Sequence, residues 1–341
     1  GAASGFRSAA DAAEKTSFAD DATFASIEAL EAAGHDAEAA KEWIKWEKRF
    51  PASSLVPAAR LARSWNALRR GDTGEAEELL NHLATDSPWI VKEQRYVLAS
   101  ALAHLMAGRE TLALEVLGDR PTAAAALYLR GMCLARQGQL LKAAAAWQEV
   151  AERWSQGPLA DHARLAKANT FLTARDYRSA AEEMARVASR VKDPAVKAEA
   201  ELRAAGALFL ATGSTDSVLT LLRGVVARHD GTDVAARAQF LVGEALVARQ
   251  QYEPAIKQYN RVLTRYFQHK VAASSQYRVA RCLDALGRRA DATGSYQAVV
   301  SGYPLEPEAP AAAYLAGVGL LHRDLPRAAV PYFQIVLDRY A

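Results

Sequence analysis

The sequence predicts an all-α protein built as a solenoid of about nine stacked helix pairs. Three observations carry that class: a large apolar residue that returns every 37 positions, a small residue four positions ahead of it, and a turn glycine five positions before that. The large residues are Trp43, Leu80, Leu117, Trp147, Met184, Leu222, Tyr259, Tyr296 and Phe333, with one interval of 38 and one of 30. Ahead of them stand Ala39, Ala76, Ala113, Ala143, Ala180, Val218, Ala255, Ala292 and Ala329. The turn glycine is present in six copies, as Gly34, Gly71, Gly108, Gly138, Gly213 and Gly287. Within each half-copy, apolar residues recur at three- and four-residue steps, the pattern of an amphipathic helix. One such pair cannot bury its apolar faces alone, so the copies must stack.

Each element follows from this register. Sixteen positions before the large residue, the first helix carries Ser64, Ala101, Gly131, Ala168, Gly206, Gly243, Ala280 or Gly317, with Ile27 in the first copy. Small side chains there let facing backbones approach closely, and the large residue is expected to fill the gap toward the next unit. The turn glycine ends the first helix because it takes the left-handed conformation without strain. Pro51, Pro88 and Pro304 stop the second helix of their copies. Copies one to three span 19–121 and copies four to nine span 122–341 as one continuous solenoid. The interval of 30 falls where Gly118 and Pro121 cut the third copy's second helix short by about two turns. A kink is expected there, near 118–122. Residues 1–18 form an N-terminal segment in which Phe6 lies 37 before Trp43, so "GFRSAADAAEK" is expected to be the second helix of a preceding unit. At the other end, Phe333, Val336 and Leu337 have no polar capping helix behind them. Both ends read as cut from a longer protein.

The bulk numbers narrow the function. A formal charge of +3 over 341 residues is too small to call for an anionic partner, and nucleic acid is not expected. No apolar run reaches the ~18 residues of a membrane span, so membrane association would come through a partner or a missing N-terminal anchor. No secretory signal opens the chain, although one removed on maturation stays open. Cys133 and Cys282 fall at one register four copies apart, so they are expected to lie beyond disulfide reach as buried thiols. The seven histidines are scattered and read as solvated surface groups. The chain holds no zinc-protease, phosphate-loop, nucleophile-elbow or dinucleotide motif. No catalytic residue, metal or cofactor is expected, and the chain does not read as an enzyme.

Counting the small residue as position eight, each copy shows Gly at fifteen and Ala at twenty in most cases, and a large residue at twenty-four. Proline follows at thirty-two in some copies. This pattern resembles the tetratricopeptide repeat, over roughly residues 20–341. It departs from the family in its pitch of 37 and in lacking most of the usual first-helix Trp and Tyr. The resemblance implies a right-handed α-α superhelix. The endings "RFPASS" and "SGYPLEPEAP" are similar to the bacterial cell-envelope branch of the family, such as outer-membrane assembly lipoproteins and periplasmic cell-division coordinators. That branch implies a periplasmic or envelope location, with the cytoplasm as the alternative.

In this family the first helices line a concave groove, with positions five, nine and twelve pointing into it. The resemblance therefore implies a partner-binding groove of Tyr128, Met132, Asn169, Arg203, Phe240, Glu244, Tyr277, Arg281 and Tyr314. Phe240, Tyr277 and Tyr314 are expected to form a ladder of rings, with Glu244 and Arg281 one turn further on. The competing reading packs fifth-position aromatics between units as core. A carboxylate clamp of the chaperone-binding type is not expected, because Arg203 is the only cation at the fifth positions and no Asn stands there. The function read from this is a non-catalytic protein-interaction scaffold of a bacterial, envelope-associated complex, binding a protein or peptide segment. Two alternatives stay open: a polysaccharide- or peptidoglycan-associated module using Tyr128, Tyr277 and exposed tryptophans, and a regulatory region of a larger enzyme.

Overall fold

The computed structural model describes residues 18–340, so the expected remnant helix around Phe6 lies outside the described residues. Among those described are eighteen α-helices and one short 3-10 helix, Pro88–Lys92, with no strand. They divide into two compact units, one up to residue 163 and one from 164. The first unit pairs α1 (Ala19–Ala32) with α2 (Asp36–Arg49), α3 (Val56–Arg70) with α4 (Thr73–Asp86), α5 (Gln94–Met106) with α6 (Glu110–Leu117), and α7 (Ala124–Arg136) with α8 (Leu140–Arg153). The unit boundary falls inside α9 (Leu159–Thr173), which pairs with α10 (Tyr177–Arg190). The second unit continues with α11 (Pro194–Thr212) and α12 (Asp216–Arg228), α13 (Asp233–Ala248) and α14 (Tyr252–Arg265), α15 (Val271–Ala285) and α16 (Arg289–Gly302), and α17 (Ala309–Leu321) and α18 (Pro326–Tyr340). The solenoid of helix pairs is the fold.

The turn inside each pair has one backbone requirement, and all nine pairs meet it. The six turn glycines have φ between 70° and 81°. In the other three pairs the same place is held by Arg175, Gln250 and Asp324, at φ 60°, 59° and 54°. A Cβ built on any of the six glycines would meet nothing within 4 Å. Glycine is there for its conformation, and three copies do without it at a cost in strain. Pro51, Pro88 and Pro304 each stand two residues beyond the last residue of α2, α4 and α16. The short helix α6 has eight residues and ends at Gly118.

The core is set by close approach within each pair. All nine residues at position twenty have zero solvent exposure. The large residue four positions later shares a buried cluster with the next copy's first helix, as Leu80 does with Ala99 and Ala103 and Leu117 with Ala126 and Cys133. In three copies it also lies directly on the eighth position of its own first helix. A Cβ on Gly131 would come within 2.5 Å of the Trp147 ring, one on Gly243 within 2.4 Å of the Tyr259 ring, and one on Gly317 within 2.7 Å of the Phe333 ring. Gly206 faces Leu222 in the repeat, and its nearest neighbour would be Leu241 at 3.8 Å.

The polar tip of the ring follows what stands at position eight. Over Gly131, Trp147 Nε1 donates to the Tyr128 carbonyl at 3.1 Å, and over Gly243, Tyr259 donates to Glu244 Oε1 at 2.5 Å. Where position eight is Ile27 or Ala280, Trp43 Nε1 donates to Glu31 at 3.0 Å and Tyr296 donates to Asp284 at 2.7 Å, both at position twelve.

Three of the seven histidines correct the expectation of free surface groups. His229 and His269 are half-buried and bonded to Glu201 and Asp233, and His104 is half-buried with no partner for Nδ1. Cys133 and Cys282 are both free and buried. Burial, with the Glu244 charge beside it, pushes the Cys282 thiol up to about 11.

Two outcomes test this packing. Gly243→Ala should lose about 1–3 kcal/mol through overpacking, whereas Gly206→Ala should gain about 0.5–1 kcal/mol of helix stability; equal effects in urea denaturation would contradict the assignment. Gln250→Gly should gain about 1 kcal/mol by relieving a left-handed residue, with a rise in the unfolding midpoint as the readout. No rise would mean the turn is unstrained.

Candidate functional site

The candidate site is the first-helix side of the second unit, formed by α9, α11, α13, α15 and α17. Its rings come from position five. Phe240 leans on Tyr259 with ring centroids 5.6 Å apart, Tyr277 on Tyr296 at 5.8 Å, and Tyr314 on Phe333 at 6.1 Å. In the first unit Phe24 and Tyr128 lean the same way on Trp43 and Trp147, at 4.9 and 6.3 Å. These tilted and edge-on geometries are the favoured ones for aromatic pairs. Each ring covers the core of its own pair, nineteen residues on, and keeps one side toward solvent. Tyr314 is 54% exposed, while Phe240 and Tyr277 are half-buried. Where position five is Leu61 or Leu165, it is fully buried.

The charged groups are tied to one another across neighbouring first helices. Arg203 donates to Asn169 Oδ1 at 2.7 Å and to Glu199 Oε1 at 2.5 Å. Arg237 donates to Glu199 Oε2 at 2.8 Å and to Asp233 Oδ2 at 3.4 Å, and Asp233 bonds His269. One copy further, Arg278 donates to Glu244 Oε2 at 2.8 Å, beside the Tyr259 hydroxyl. Arg281 is exposed and hydrogen-bonds Tyr277. Arg203 is therefore neutralised where it stands, so the face holds no free cation at position five.

Between these groups opens a cavity of about 470 Å³ lined only by α9, α11, α13 and α15. Leu172, Phe209, Leu210, Phe240 and Leu241 give it apolar walls, and Arg203, Arg237 and Glu244 add polar groups. Gly206 forms part of its lining, and the absence of a side chain there gives depth. This size falls within the range of ordinary ligand pockets. Of the residues expected in the groove, Arg203, Phe240 and Glu244 share this cavity, and Asn169 is bonded to it through Arg203. Tyr277 and Arg281 sit together on α15, and Tyr314 stands on α17. Tyr128 and Met132 belong to the first unit, where Met132 packs against the cluster containing Leu105, Ala113 and Leu117. Sequence reasoning missed Glu199 and Arg237, which hold the polar edge together. Their signal was spacing: Glu199 and Arg237 are 38 residues apart, one repeat to within a residue.

Among the described residues no cluster of three or more metal-ligating side chains occurs, and no helix is long and apolar enough to cross a membrane. The arrangement defines a helical-repeat scaffold. A family model described as a tetratricopeptide repeat-like domain matches residues 115–288, just over half of the chain, and the chain belongs to that family. Its fold is similar to that of RapI in the apo form, with 10% identity over 82% of this chain and 86% of that one, at a TM-score of 0.57. It is likewise similar to the apo quorum sensor NprR from B. thuringiensis, with 13% identity over 82% and 97% of the two chains, at a TM-score of 0.50. Comparison with curated sequences gave no match.

The polar edge makes stability depend on acid. Burial pushes the Glu199 carboxyl up, but Arg237 and Arg203 outweigh it and hold it below its ordinary value. Asp233 is likewise held low, by His269 and Arg237 against its burial. Carboxylates depressed in the folded state stabilise it above their unfolded pKa, and that contribution is lost as pH falls through the folded value. The urea midpoint should therefore begin to drop below about pH 4.5. Glu199→Gln should lower the midpoint at pH 7 and flatten this acid limb; an acid limb of unchanged slope would contradict the assignment.

Proposed function

We infer that the chain is a non-catalytic protein-interaction scaffold that holds a segment of a partner protein on the first-helix face of residues 164–341. The observation that carries this is the apolar cavity between four successive first helices, with Arg203, Arg237 and Glu244 among its lining residues. An apolar anchor side chain of the partner fills it. The half-exposed rings Tyr277 and Tyr314 extend the surface past the cavity, as aromatic anchors do at protein interfaces. Because the charges beside it are already paired, they orient the segment through hydrogen bonds and do not clamp a terminal carboxylate.

The polysaccharide alternative finds no support in the rings it would need. Of the six tryptophans, Trp43, Trp46 and Trp147 are buried and only Trp89 is largely exposed. An envelope complex remains our proposed setting, resting on the repeat endings alone. Fractionation of the tagged product of the whole gene in its own bacterium checks it, and recovery in the cytosol would contradict it.

The binding proposal is tested by selecting peptides from a random library on the full chain and measuring their affinity for variants. Leu210→Asp and Tyr314→Ala change side chains that are 59% and 54% exposed, so folding should be spared. Each should weaken a selected peptide by about 2 kcal/mol with the unfolding midpoint unchanged. Peptides that bind both variants as tightly as the parent would overturn the site.

A further inference from the structure

The side of α11 turned away from the cavity carries a second, different trough. At 3.6 residues per turn, the cavity residues Leu202, Arg203, Gly206 and Leu210 and the trough residues Lys197, Glu201, Ala204 and Leu208 centre on opposite sides of the helix. The trough holds about 500 Å³, with α11 as floor and the second helices α10 and α12 as walls. Each helix lines it with a regular stripe: Ala181, Ala185 and Ala188 from α10, Ala204, Ala205 and Leu208 from α11, and Leu221 and Val225 from α12. From Lys197 to Leu208 the floor is about 16 Å long, or three helical turns.

The repeat supplies its own control. The corresponding trough over α3, between α2 and α4, is narrowed to about 210 Å³ by charges: Arg63 bridges Glu47 at 3.4 Å and Glu75 at 2.7 Å, and Arg60, Glu78, Leu79 and His82 line the rest. The trough over α13, between α12 and α14, has Val226 and Ala227 in its lining but also Asp230, Gln239, Arg261 and Arg265. Over α11 the same register is apolar. Ala188 stands eight residues after Ala180, as Glu47 stands eight after Ala39, and Ala205 precedes Gly206 as Arg63 precedes Ser64. The ion pair that fills one trough is thus replaced by two alanines in the other. Alanine walls leave room for large side chains from outside, and three parallel stripes fit a helix.

The trough is also polarised. At one end, near the start of α11, stands Lys197, and at the other, on the first half of α10, stands Glu182. Neither has an ion-pair or side-chain hydrogen-bond partner among the described residues. Arg228, also at the Lys197 end, is neutralised by Glu201 at 2.9 Å, which His229 contacts as well. A helix laid in the trough meets the free ammonium best with its C-terminal end, and the free carboxylate with its N-terminal end.

From this we propose that the outer trough over α11 docks an amphipathic helix of a partner protein, independently of the first-helix cavity. The partner helix is about three turns long and presents large aliphatic side chains at i, i+4 and i+7. It carries basic residues at its N-terminal end, beside Glu182, and acidic residues at its C-terminal end, beside Lys197.

The probe is a labelled, hydrocarbon-stapled helical peptide of that pattern, titrated by fluorescence anisotropy against the full chain. Saturable binding with Kd on the order of 10 μM or tighter is expected. Ala205→Arg, which restores the residue of the α3 trough, and Leu221→Glu, at a 45% exposed position, should each weaken it about tenfold or more. Circular dichroism and the unfolding midpoint report whether each variant stays folded, so Leu221→Glu decides if Ala205→Arg does not fold. Phe240→Ala should leave this binding intact, which separates it from the cavity. The same peptide with its terminal charges exchanged should bind several-fold more weakly. No saturable binding, parental affinity in both folded variants, or parental affinity for the charge-exchanged peptide overturns the proposal. So does sedimentation showing self-association that Leu221→Glu abolishes, since the occupant would then be a second copy of the chain.

Discussion

The structure depends on close packing within each helix pair, tightest where position eight of the first helix is Gly131, Gly243 or Gly317 and the residue sixteen positions later is a ring. Where the large residue is a ring over glycine, the two helices lie so close that a single methyl would enter the ring, as at Gly243 and Tyr259. The fully buried residue at position twenty keeps the same separation one turn away. Pairs held this closely are stiff, because interiors packed at crystal-like density transmit a misfit instead of absorbing it. Each copy is then a unit whose two outer sides are free to diverge in sequence while its seam stays fixed.

That division of labour accounts for what the first helices carry. The large ring occupies the seam, so the fifth-position ring has no place inside and lies over it, half in solvent. The ring's polar tip needs a partner, and the carboxylates that serve it, Glu31, Glu244 and Asp284, stand on the first-helix side. Glu244 is then shared with Arg278 of the next copy. A requirement of the core thus places charge on the recognition face, and the ion pairs that result join consecutive first helices. Such half-exposed pairs add modestly to stability; their larger effect is to fix the side chains beside the cavity. On the second-helix side no such requirement operates, and residues there range from the Arg63 and Glu47 bridge to the alanines 188 and 205.

Much of this was legible before any coordinates. The period of 37, the small residue at twenty and the turn at fifteen define every helix pair, because each reports a backbone or packing requirement that few residue types meet. The turn was read from six glycines, and Arg175, Gln250 and Asp324 escaped notice because a side chain can tolerate the left-handed conformation where nothing surrounds it. The packing of the large residue toward the next copy was read, but its closeness to position eight of its own first helix was not. Spacing says which residues share a register, but how closely a ring lies on its own pair depends on helix separation, which only coordinates give. Arg203, Phe240 and Glu244 were found from their positions, whereas Glu199 and Arg237 were not, since ion pairs between copies depend on the length of the loop joining them. The outer trough was invisible because alanines at 188 and 205 look like ordinary helix formers until their charged counterparts at 47 and 63 are set beside them.

The central claim is that position eight and the large residue of the same copy are read by each other, and a double-mutant cycle measures this directly. Gly243→Ala is made both in the parent chain and in Tyr259→Leu, and stability is taken from urea denaturation. In the parent the methyl meets the ring, while beside leucine it has the room that Gly206 has. A coupling energy of about 1 kcal/mol or more between the two positions is predicted, within the range for residues in contact. Additive effects of the two substitutions would show that the ring does not depend on the glycine, and the packing described for the repeat would be wrong.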